Sequence, residues 1–99
     1  MSVQHTVLFA FKADADEAKV QDAIASLNRL PGLIEEIETW ALAEDEGKRE
    51  DSFRFALLAT FADMAAMERY LVHPEHERAV ANAAPILSQV AEHDYTVVP

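Results

Sequence analysis

Hydrophobic and polar residues change period along the chain, and the changes mark its elements. From Val3 to Lys12 they alternate, with Val3, His5, Val7, Phe9 and Phe11 on one face and Gln4, Thr6, Leu8, Ala10 and Lys12 on the other. Period two with one strongly apolar face predicts a β-strand. Asp14 with Glu17 three residues on offers a capping pair, and Val20, Ala23, Ile24, Leu27 and Leu30 then recur at helical spacing. Pro31-Gly32 is expected to end this helix. Leu33 to Ala43 reads as a second strand of unsettled register, because Glu35, Glu36 and Glu38 fall on both faces; a bulge or an edge position would account for that. The polar run Glu44 to Asp51 suits a loop between antiparallel strands, and Ser52 to Phe61 alternates again as a third strand.

Asp63 is placed to cap a short helix carrying Met64, Met67, Tyr70 and Leu71. Pro74 forces His73 out of helical geometry, so the helix breaks and restarts with Pro74 in its first position and Glu75 and Glu77 near the positive end of its dipole. Ala79, Val80, Ala83 and Leu87 give the restarted helix its buried stripe, with a kink expected at Pro85, and Glu92 to Val98 reads as the closing strand. Strand, helix, strand, strand, helix, strand is the α+β, ferredoxin-like βαββαβ order: a four-stranded antiparallel sheet with both helices on one face. Residues 1–99 are read as a single domain. The opposite face carries Leu8, Ala10, Ala56 and Leu58, so a second copy is expected to cover it.

Composition sharpens that expectation. A chain of 99 residues, 51% hydrophobic, buries only roughly 60 to 65% of its unfolded surface, and with no cysteine it has no disulfide to help. Association is the remaining remedy. Eight Lys and Arg against eighteen Asp and Glu leave a formal charge of -10. Phosphate contacts need cations, so nucleic acid is excluded as a partner, and anionic membrane surfaces are disfavoured for the same reason. No apolar stretch is long enough to span a membrane and the start Met1-Ser2-Val3-Gln4-His5 is unlike a signal peptide, so a cytoplasmic setting is expected.

Four segments together resemble a known family: H-T-V-L-F-A-F-K in the first strand, L-P-G after the first helix, F-A-D before the second, and Y-L-V-H-P-E-H across its break. They are similar to the stress-responsive A/B barrel (Dabb) family over essentially the whole chain. The resemblance implies a dimeric α+β barrel made of two ferredoxin-like sheets packed face to face. A plant polyketide cyclase of this family closes a ring by aldol condensation with a histidine and a tyrosine. Those positions fall on His76 and Tyr70 here, its first-strand histidine on His5, and its histidine before proline on His73. Ala18, Ala23 and Ala25 stand where that enzyme has bulky aromatics, a departure that speaks against a long-chain polyketide substrate.

The residues themselves support acid–base chemistry. His5 shares an apolar face, where burial disfavours the imidazolium, and His76 sits in a helix's first turn, where the dipole favours a neutral ring. A neutral imidazole is a general base near pH 7, and the Tyr70 phenol is a donor for a developing enolate. The expected mechanism is proton abstraction beside a carbonyl by His76, with Tyr70 polarising that carbonyl and His5 holding the substrate. Val7, Phe9, Phe55, Leu57 and His73 are the expected substrate-binding neighbours, and the ligand a small, largely apolar carbonyl compound. Each residue also has a structural reading: His73 capping the helix break, His5 a satisfied core histidine, Tyr70 a buried ring bonded to a strand.

Other chemistries find no motif. His73 and His76 are three apart, but Pro74 spoils their alignment as metal ligands, and no metal site is assigned. The acidic loop lacks the residue order of a calcium loop. There is no glycine-rich phosphate loop, no cysteine nucleophile and no G-x-S-x-G, so no cofactor is expected. Trp40 reads as an interface or core anchor, and Met64 and Met67 as core filler. Two functions stay open: a cofactor-free cyclase, lyase or isomerase, and a non-catalytic dimeric binding or stress-response protein.

Overall fold

A computed structural model of the chain describes residues 1–98. Strand β1 spans Val3–Phe11, helix α1 Glu17–Asn28, a single turn α2 Leu30–Leu33, β2 Ile37–Glu44, β3 Phe55–Phe61, α3 Met64–Leu71, α4 Pro74–Ala83 and β4 Leu87–Thr96. The four strands pair antiparallel in the order β2-β3-β1-β4, which is the ferredoxin-like sheet that the element order predicts. β2 is an edge strand with a register shift between Ile37 and Thr39. Both expected devices are present, although Glu35 and Glu36 precede the strand in a turn and only Glu38 of the three glutamates lies in β2.

Period two decides what each face of the sheet becomes. Val3, His5, Phe9 and Phe11 of β1 and Phe55, Leu57, Ala59 and Phe61 of β3 are buried on the helix side. Phe9 stacks on Phe55 with ring centroids 5.6 Å apart, and Phe11 meets both edge-on. Trp40 faces the same side and donates its Nε1–H to Asn28 Oδ1 at 2.9 Å, tying the β2 edge to the end of α1. On the other face the central strands present Gln4, Thr6, Leu8, Ala10, Ala56, Leu58 and Thr60, none of them charged, and Leu58 is 44% exposed. Among the described residues no helix is long and apolar enough to cross a membrane.

Several boundaries differ from expectation, each for a local reason. The N-cap of α1 is Asp16, whose carboxylate accepts from Ala18 N–H, because a turn closed by Ala15 N–H on the Lys12 carbonyl takes up the preceding residues. α1 stops at Asn28, and Pro31 opens the separate turn α2 instead of ending α1. β2 begins at Ile37 rather than Leu33 because α2 occupies Leu30–Leu33, and β3 begins at Phe55 rather than Ser52. The largest correction is at the C-terminal strand. Pro85 sits in a 3-10 turn over Ala84–Ile86, so Leu87 is not a helix residue but the first of β4, which starts five residues before Glu92. A bulge between Ala10 and Phe11 fits Leu87–Gln89 onto β1. Val80, expected in the buried stripe, is 42% exposed.

Candidate functional site

Between the helix layer and the sheet lies a cavity of about 140 Å³. Val7, Phe9 and Leu57 line it from the sheet, Leu87, Val90 and Glu92 from β4, Leu27 from α1, and Tyr70, His76, Val80 and Ala83 from α3 and α4, with His5 at the polar end. Val80 is exposed because it borders this opening. Phe55 lies outside the lining and supports Phe9 from beside it.

The helix break brings the polar groups together. Tyr70 and His76 are six positions apart, which on a continuous helix is about 240° of rotation and places them on different faces. Here His73, in extended geometry, caps α4 by accepting Glu75 N–H on Nδ1 at 3.1 Å, and Pro74 takes the first helical position. His73 is thus turned to the backbone and is not in the cavity lining. The redirected α4 sets the His76 ring 4.4 Å from the Tyr70 ring, centroid to centroid.

Hydrogen bonds fix which atoms can react. His76 Nδ1 lies 3.0 Å from the Leu71 carbonyl, which only accepts, so Nδ1 carries the proton and Nε2 of the neutral ring keeps the lone pair. Burial lowers the pKa of His76, with the nearby His5 acting in the same sense; the Leu71 bond and the charges of Glu92 and Glu77 oppose the shift. The ring is therefore a neutral base at pH 7. Tyr70 is 1% exposed, and burial, helped by the negative field of Glu92, pushes its phenol well above the ordinary range. It stays a protonated donor. The Tyr70 hydroxyl has no protein hydrogen-bond partner among the described residues, yet no buried side-chain polar atom is left unpartnered there, so that hydroxyl opens on the cavity.

His5 is 2% exposed, with its ring edge-on to Tyr70 at 5.9 Å and to Phe61 at 6.2 Å. Its Nδ1 bonds Asp94 Oδ1 on the neighbouring strand, directly across the ladder. A carboxylate accepts, so Asp94 holds the ring by a proton on Nδ1. Glu92 and Val90, and Asp94 as the partner of His5, are site features that sequence reasoning missed. The signal existed: they share one parity on β4, and in register with His5, Val7 and Phe9 they must share the helix face. Starting β4 at Glu92 hid that register. His73 and His76 bond different backbone groups, and no three His, Asp or Glu side chains among the described residues converge as a metal-ligand set.

Fold and site define a ferredoxin-like α+β protein with an apolar, histidine- and tyrosine-bearing pocket between its two layers. More particularly, the chain belongs to the stress responsive A/B barrel domain (Dabb) family, whose model matches residues 3–97. An uncharacterised protein of Streptomyces coelicolor is 32% identical over 81 residues, covering 80% of this chain and 84% of that one. A dimeric ferredoxin-like protein of unknown function from Thermobifida fusca superposes with a TM-score of 0.87 at 27% identity, over 98% of this chain and 92% of that one. The hydroxynitrile lyase of Passiflora edulis gives a TM-score of 0.88 at 21% identity, over 98% of this chain and 94% of that one, a likeness of fold.

Proposed function

We propose that this chain is a single-domain, cytoplasmic, homodimeric small-molecule-binding protein. Its pocket would perform cofactor-free acid–base chemistry, as a cyclase, lyase or isomerase, on a small, largely apolar carbonyl compound. The support is one arrangement: a neutral His76 with its lone pair on Nε2 and an unpartnered Tyr70 hydroxyl, side by side at the polar end of an apolar cavity. His76 takes a proton from the carbon next to the carbonyl, Tyr70 donates to the oxygen as negative charge gathers there, and His5, held by Asp94, orients the substrate. Val7, Phe9 and Leu57 provide the apolar wall, with Phe55 behind it. The first test is deuterium exchange at the α-position of an aryl methyl ketone, followed by proton NMR in deuterated buffer. Exchange well above the buffer rate is expected. A ketone that binds yet exchanges at the buffer rate would favour the second reading, a non-catalytic binding protein in which the motif stabilises the helix break, as the His73–Glu75 and His76–Leu71 bonds also do.

The dimer rests on the uncharged open face of the sheet in a chain of net charge -10, where like charges would otherwise oppose self-association, and on the dimeric relative of the same fold. Light scattering on a size-exclusion column is expected to give twice the chain mass at micromolar concentration. A stable monomer would contradict it.

A further inference from the structure

Charge is distributed unevenly around the cavity. Its lining includes no Lys or Arg, although the chain has eight. Three of those cations are engaged elsewhere, Arg54 with Glu17 and Glu44, Arg69 with Glu36 and Arg78 with Glu75. The histidines of the lining add no positive charge through His76 at neutral pH, since burial keeps that ring neutral. The positive end of α4 is equally occupied: His73 caps it, and Glu75 and Glu77 stand in its first turn. The lining holds one carboxylate. Glu92, on β4 opposite Val7, borders the cavity with no hydrogen-bond or ion-pair partner among the described residues, and its field is felt by both Tyr70 and His76.

We propose that Glu92 sets the specificity of this pocket, which admits small ring compounds that are neutral or carry an amine and rejects those bearing a carboxylate or phosphate. This rests on the small-molecule-binding reading above and narrows its substrate class. Size points the same way: a cavity of about 140 Å³ is comparable to the engineered cavity of about 150 Å³ that holds benzene, so one ring fills it. An anionic group on that ring would lie near an unpaired carboxylate, with no Lys or Arg to receive it.

The test is a matched series of benzylamine, benzyl alcohol and benzoate, titrated at neutral pH and moderate salt against the whole protein, with Tyr70 and His76 ring resonances as reporters. The wild type is expected to bind benzylamine at least as well as benzyl alcohol, and benzoate roughly threefold to tenfold more weakly, the scale of a partly screened charge contact. Glu92→Gln should leave benzyl alcohol unchanged and remove most of the difference between the other two. Glu50→Gln, which alters net charge equally from the exposed β2–β3 loop, should leave the order intact. If all three bind the wild type alike, or the order survives Glu92→Gln, the inference fails while the pocket stands. Were no probe to move the two resonances, the binding reading would fall with it.

Discussion

Replacing His76 with alanine is expected to lower α-proton exchange by roughly 10²- to 10⁴-fold, the range a positioned general base contributes. Tyr70→Phe should act on the same step, removing the donor to the developing oxyanion, with a loss on the order of 10²-fold. Neither variant removes a large buried apolar surface, so circular dichroism and the unfolding midpoint should change much less than the rate. The pH profile carries a sign. His76 is held neutral by burial, so the rate should climb as pH rises through a pKa below the ordinary histidine value of about 6.5 and then level off, with no fall from Tyr70 ionisation in the neutral range. A rate that is insensitive to His76, or one that rises only above pH 7, would remove His76 as the base.

The second large effect is on stability. Phe61 is completely buried in the central strand β3, and its ring lies 4.9 Å from Tyr70 and 6.2 Å from His5. Phe61→Ala opens a cavity beneath both, at a cost of about 3–5 kcal/mol. A domain of this size has only about 5–15 kcal/mol in all, so the variant should be marginally folded. Phe61→Leu keeps most of the volume and should cost markedly less. Urea unfolding of the three proteins measures this directly, and a loss under about 1 kcal/mol for the alanine variant would mean that the site does not stand on Phe61.

Local chemistry explains which parts of this protein were legible in its sequence. Alternation from Val3 to Lys12 and from Ser52 to Phe61 marked the two central strands and their faces, because one side of each is buried apart from Val7, which lines the cavity. Asp63 and His73-Pro74 marked two helix starts through capping and the missing proline N–H, both local effects. β4 resisted for the opposite reason. All but its first residue are exposed, so no hydrophobic alternation announces it, and its start depends on a bulge against β1 that only tertiary pairing defines. The site divides along the same line. Tyr70, His76 and His5 stand out by residue type and by the helix break, whereas Asp94 and Glu92 acquire their places only from the β1–β4 register.

The central claim is that His76 and Tyr70 form one functional unit in a shared apolar pocket. An NMR pH titration of the histidine rings, in the wild type and in Tyr70→Phe, tests it most directly and needs no substrate. The account predicts that His76 titrates below about 6.5 and that its titration moves when the Tyr70 hydroxyl is lost. A His76 that titrates at the ordinary value and ignores the substitution would contradict it.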